Sequence, residues 1–154
     1  MKKIGTFTII FLAMTAWLGL RVNAQHKTDD VLGYWFNEEK TSKVQIYKEG
    51  NKYFAKVVWL KEPNDVNTGK PRTDNLNPDV KLQNVPLMGL VIMKNFVFDG
   101  KDEWNDGTIY DPKKGKTYSC YIQFDKPNIL KIRGYIGVSL LGRTSYWTKT
   151  VFQP

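Results

Sequence analysis

Thr117-Tyr118-Ser119-Cys120-Tyr121-Ile122-Gln123-Phe124, then Asp125-Lys126-Pro127-Asn128, then Leu130-Lys131-Ile132-Arg133-Gly134-Tyr135-Ile136, is the stretch that decides the fold class. Tyr118, Cys120, Ile122 and Phe124 fall on one face, and Thr117, Ser119, Tyr121 and Gln123 on the other. A period of two is the signature of a strand with one buried face. Leu130, Ile132, Gly134 and Ile136 alternate in the same way with Lys131, Arg133 and Tyr135. The Asp-Lys-Pro-Asn run between the two arms is turn chemistry, so the pair reads as an antiparallel hairpin.

Similar segments extend in both directions. Val31 to Asn37 is a first strand, and Val44 and Ile46 alternate with Lys43, Gln45 and Tyr47. Glu49-Gly50-Asn51 turns into Lys52 to Leu60, where Tyr53, Ala55, Val57 and Trp59 share a face. Pro86 to Met93 is an apolar strand with Gly89 inside it, and Phe96 and Phe98 open another short segment before Asp99-Gly100. Glu103 to Tyr110 holds a turn signal at Asp106-Gly107, Asp111 to Gly115 is a further turn, and Arg143 to Val151 is the last strand. No helical period of useful length appears after the first two dozen residues. Short strands with turn signals every 8–12 residues point to an all-β domain. An antiparallel up-and-down barrel of about eight strands hides its edges, with a two-sheet sandwich as the second choice. Lys61 to Val85 interrupts the pattern with a concentration of Pro, Asn, Asp and Gly. A loop of that length is either a lid or binding element or a passive surface excursion.

The chain start is of a different kind. Lys2 and Lys3, the apolar run Ile4 to Leu20 and Val22-Asn23-Ala24 make a signal peptide over residues 1–24, cleaved before Gln25. That leaves residues 25–154 as a single barrel domain, exported to the periplasm or beyond, with no later segment apolar enough to span a bilayer. The net charge of +8 loses Lys2, Lys3 and Arg21 with the leader. The remaining cations are mainly scattered lysines, which fits a solvated surface or an anionic envelope component and not a nucleic-acid reader.

Composition excludes much chemistry. A single cysteine, Cys120, allows no internal disulfide, and a single histidine, His26, removes most histidine-based catalysis and metal ligation. Cys120 sits on the apolar face of a strand, which makes it a core residue. Asp74 and Asp79 lie near Asn75 and Asn77 but lack the remaining features of a calcium loop, so turn and capping roles suit them better. No catalytic residue, metal ligand or cofactor is expected. Aromatics are abundant. Strand packing accounts for them directly. The functional reading is a pocket lined by Trp59, Leu90 and Tyr118 under the long loop, with Lys81 or Arg133 to meet a carboxylate.

Gly33-Tyr34-Trp35 resembles the G-x-W signature that opens lipocalin barrels. That resemblance implies that Gly33 and Trp35 serve barrel closure, with Arg143 packed over the indole. A broader set of motifs covers most of the chain: Asn77-Pro78, Pro86-Leu87-Met88-Gly89-Leu90, Trp104 through Tyr118, Arg133-Gly134-Tyr135-Ile136-Gly137 and Leu141-Gly142-Arg143-Thr144 with Trp147. Together they resemble the bacterial domain of unknown function 2147 family. An Arg expected after Asn77-Pro78 is replaced here by Lys81, a weaker and less directional anion ligand. The resemblance implies a small exported lipocalin-like barrel that binds a small apolar or amphipathic ligand without transforming it. A filled barrel serving as a structural or interaction protein of the envelope is the alternative. An enzyme comes third.

Overall fold

The computed structural model describes residues 27–152, so the leader, its cleavage site and His26 lie outside the described residues. Eight antiparallel strands run in sequence order around a closed barrel: β1 (Gly33–Phe36), β2 (Ser42–Glu49), β3 (Lys52–Leu60), β4 (Val91–Phe98), β5 (Glu103–Asp111), β6 (Lys116–Lys126), β7 (Ile129–Tyr135) and β8 (Gly142–Thr150). β1 and β8 seal the ring, with Trp35 opposite Lys149. Closure leaves no strand edge open to another chain. The decisive hairpin forms as expected, with Ile122 opposite Ile132 and Phe124 opposite Leu130.

Up-and-down winding sorts the connections between two ends. The tight β2–β3, β4–β5 and β6–β7 turns gather at one end, and the β1–β2, β3–β4, β5–β6 and β7–β8 connections at the other. The first end is plugged. Residues 27–32 cross it in tight turns, and the Thr28 carbonyl accepts hydrogen bonds from the Tyr53 hydroxyl (2.7 Å) and Trp104 Nε1 (3.1 Å). Trp35 Nε1 donates to the Val31 carbonyl at 2.9 Å. Buried indoles need such partners, because an unpaired N–H inside a core is costly. Trp35 and Trp104 both meet Phe124 edge-on, each with centroids 5.9 Å apart. Every strand and every buried core residue lies within 31–150, so the barrel closes and fills on its own residues.

Several sequence expectations shift. Pro86 to Leu90 is not strand: Gly89 turns with φ of 86°, and β4 begins at Val91 and runs unbroken through Phe98. Asp106-Gly107 does not end a strand either. It lies inside β5, where Asp106 takes φ of 60° and the register with β6 shifts between Trp104 and Gly107. Asn95 does the same in β4, at φ of 66°. Asn and Asp tolerate this left-handed backbone, and one extra residue there bends a strand around a small barrel. Gly107 itself cannot carry a side chain, because a Cβ would lie 2.3 Å from the Phe96 ring.

Candidate functional site

The unplugged end opens into a cavity of about 390 Å³ inside the barrel. Buried Val57, Ile92, Ile132 and Trp147 line it, with half-buried Leu60, Ile109 and Tyr118 above them. The rim is charged: Glu38 and Glu39 from the β1–β2 loop, Asp111, Lys113 and Lys114 around the β5–β6 turn, and Arg143 at the start of β8. Most of these charges are already matched. Lys113 pairs with Glu39, whose carboxyl the lysine hydrogen bond holds below the usual range, and Lys114 lies 4.0 Å from Asp111. Arg143 has no carboxylate within ion-pair distance among the described residues. It stands over an apolar chamber, and its charge also helps to hold the Glu39 carboxyl down.

The long loop, residues 61–90, is docked against this mouth. Buried Asp74 accepts from the Tyr110 hydroxyl at 2.8 Å and from Asn77 Nδ2 at 2.6 Å. Burial, with the hydrogen bond to the Asp74 carboxylate, pushes the Tyr110 phenol up to about 12. The Leu87 amide donates to the Arg72 carbonyl at 2.9 Å, and the Asp74 amide to the Val85 carbonyl at 2.9 Å. Gly115, at φ of 62°, lets the β5–β6 turn approach so closely that a Cβ would stand 1.9 Å from the Leu76 carbonyl oxygen. Anchored in this way, the loop contributes Leu87 to the cavity wall. A second, more polar groove of about 750 Å³ runs beside the mouth past Lys70 and Arg72 and shares Leu87, Pro112 and Lys113 with the cavity.

Of the residues expected to line a pocket, Tyr118 does so and four do not. Trp59 is turned outward by a register shift between Lys43 and Val44, after which Lys43 faces Trp59 across the sheet. The bulge reverses the alternation that would have put Trp59 beside Val57, and Leu60 takes the inward place. Trp59 instead packs edge-on against Phe36 on the outer face, 5.5 Å from the Lys43 ammonium. Leu90 packs at the margin of the core, and Lys81 is exposed in a one-turn 3-10 segment capped by Asp79.

The two arginines exchange places. Gly134 pairs with Arg143 and Arg133 with Thr144, so inward Ile132 and Gly134 leave Arg133 outside. Its guanidinium clamps the β7–β8 loop, donating to the Ser139 carbonyl (2.8 and 3.0 Å), the Leu140 carbonyl (3.1 Å) and Thr144 Oγ1 (3.0 Å). Arg143 does not cover Trp35, which lies toward the plugged end. The cation over that indole is Lys149, at 5.3 Å. Trp147 and Arg143 are among the cavity residues that the sequence did not single out for the pocket. Their spacing with Ser145, two residues apart along β8, was the available signal.

A family model described as an uncharacterized protein conserved in bacteria (DUF2147) matches residues 33–149. The chain belongs to the DUF2147 family. The match opens on the first residue of β1 and ends within β8, so what defines DUF2147 in this chain is the barrel itself. This DUF2147 barrel is similar in structure to protein HP1028 of Helicobacter pylori, described as belonging to the lipocalin family. The TM-score is 0.66 at 25% identity, over 77% of this chain and 82% of the other. No curated protein matches it.

Proposed function

We propose that this DUF2147 protein binds a small amphipathic ligand, with the apolar part in the barrel and an anionic or polar head at the mouth. One observation carries the reading: an apolar chamber of ligand size lies beneath Arg143, a rim cation that makes no ion pair among the described residues. Clefts that hold small molecules run to about 300–1,000 Å³ with apolar walls and a few placed polar groups, and this one fits that description. An anionic head at the mouth would find a planar donor fork that no ion pair holds. The lipocalin-like neighbour supports small-ligand binding at the level of the fold. The reading is of binding without catalysis: the Cys120 thiol, buried and pushed up to about 12, is a poor nucleophile. The apolar leader supports export, which would place the barrel in the periplasm or outside the cell.

The test is native mass spectrometry of the protein taken from its own bacterial envelope, repeated after denaturation. A reproducible added mass that denaturation removes, and that Gly134→Leu abolishes, is the expected result. Gly134 lines the cavity and an added Cβ there meets only ordinary contacts, at 3.5 Å, so the position accepts a side chain that takes up chamber volume. A bare polypeptide mass in every preparation would sink the proposal and favour an interaction protein of the envelope.

A further inference from the structure

The outer surface of the barrel is unequal at its two ends. Nine of the twelve exposed large hydrophobic side chains among the described residues sit in two loops at the open end, 61–90 and 136–141. The plugged end's turns, built on Gly50-Asn51, Asp99 to Asp102 and Pro127-Asn128, carry none, and that end exposes Val151 and Phe152 just after β8. The densest group is Ile136, Val138, Leu140 and Leu141, exposed by 66%, 58%, 87% and 78% within six residues of chain. Four aliphatic side chains held in water on one loop are a standing cost that a monomeric domain ordinarily avoids.

The loop is also held in shape. Residues 139–141 form a short 3-10 turn, and the Arg133 clamp fixes the Ser139 and Leu140 carbonyls from behind. The aliphatic side chains are therefore presented outward in advance. The rim beside them carries both signs, with Glu39 and Asp111 paired to Lys113 and Lys114. Arg143 follows the loop directly and exposed Lys116 starts β6, the strand next to β7, while Arg133 is occupied by its clamp on the loop.

We infer that this open end docks on an anionic lipid bilayer, with Leu140 and Leu141 inserted among the headgroups and the flanking cations on lipid phosphates. Charge complementarity and the shape of the patch select this occupant. Stable protein partners ask for roughly 800 Å² of surface per side and favour aromatic anchors, whereas this patch is a short loop of aliphatics with no aromatic residue. A lipid interface accepts such a loop, and basic residues around it add attraction to anionic headgroups. From Gln25 onward 20 Lys and Arg stand against 15 Asp and Glu, and that net charge of +5 acts in the same direction. Docking by this end turns the cavity mouth toward the membrane, where an amphipathic ligand could pass between bilayer and barrel. That consequence rests on the ligand reading, but the docking itself does not.

Sedimentation with vesicles tests it, using the chain from Gln25 onward, since the barrel closes on its own residues and the apolar leader would itself partition into lipid. Vesicles of phosphatidylcholine with phosphatidylglycerol are expected to carry the protein down, and phosphatidylcholine alone to carry less. Leu140→Asp and Leu141→Asp each replace an aliphatic group that would enter the bilayer with a repelled charge, so each weakens binding at least about tenfold. Both positions are exposed, so circular dichroism is expected to be unchanged; Asn51→Asp at the plugged end leaves sedimentation as it was. Gly134→Leu separates the two readings, because a barrel that has lost its ligand still docks. Failure to sediment with mixed vesicles, or equal sedimentation of the Leu140 and Leu141 variants, overturns the inference. A Leu140-dependent dimer without vesicle binding overturns it in favour of a second copy of the chain.

Discussion

Replacing Tyr110 with Phe removes one oxygen atom and tests what holds the long loop over the mouth. The Tyr110 hydroxyl donates 2.8 Å to Asp74, a carboxylate only 1% exposed, whose other oxygen takes Asn77 Nδ2. A hydrogen bond to a buried charge contributes about 1.5–3 kcal/mol, more than a neutral one, because the deprived carboxylate cannot turn to water. Phe keeps the ring, so little packing is lost and the cost falls on the loop. Opening of the loop should then become about ten- to a hundredfold more frequent. Hydrogen exchange reads this directly. The Asp74 and Leu87 amides bond within the loop, to Val85 and Arg72, and are expected to exchange faster by that factor. Amides of β6 and β7 are expected to keep their rates below the global limit. A double-mutant cycle with Asp74→Ala should return most of the Tyr110 effect as coupling. The pH arm has a definite sign. A phenol raised from 10.0 to about 12 in the folded state contributes stability that is full below pH 10 and is lost as pH climbs toward 12. Tyr110→Phe removes that component of the alkaline decline. Wild-type exchange at Asp74 and Leu87, or a coupling near zero, would refute the reasoning.

Other outcomes follow from the same contacts. Gly107→Ala drives a Cβ to 2.3 Å from the Phe96 ring, so urea unfolding should show a loss of about 1–3 kcal/mol from overpacking. Arg133→Ala frees the Ser139 and Leu140 carbonyls and is expected to raise proteolytic cleavage within 136–141 while leaving ligand binding intact; loss of ligand with an unchanged loop would return Arg133 to the binding site. Arg143→Ala should weaken an anionic ligand several-fold and leave thermal stability within about 0.5 kcal/mol, as for an exposed, unpaired side chain. Cys120, 1% exposed with its thiol pushed up to about 12, is expected to resist a thiol reagent at pH 8 until urea unfolds the barrel.

The alternation of 117–134 predicted β6 and β7 with their inward faces, because a regular strand translates sequence parity directly into side; Ile136, expected inward, is exposed because β7 ends at Tyr135. The same rule places Cys120 inside, and along β8 it puts Arg143 on the inward side with Trp147. It failed at Trp59. One extra residue in the β2–β3 ladder reverses every later side, and nothing in Lys56-Val57-Val58-Trp59 announces it. It failed again at Asp106-Gly107, where residues that usually make turns serve a bulge inside β5.

The sequence by itself determined the all-β class, the up-and-down order of strands and the family, since these rest on period, turn residues and motifs that are local in the chain. The tertiary structure alone decided which cations face the cavity, which residue covers Trp35, and that Asp74 and Tyr110, far apart in sequence, meet across the mouth. Those depend on register and on the closure between β1 and β8, where a shift of one residue moves a side chain through the wall of the barrel.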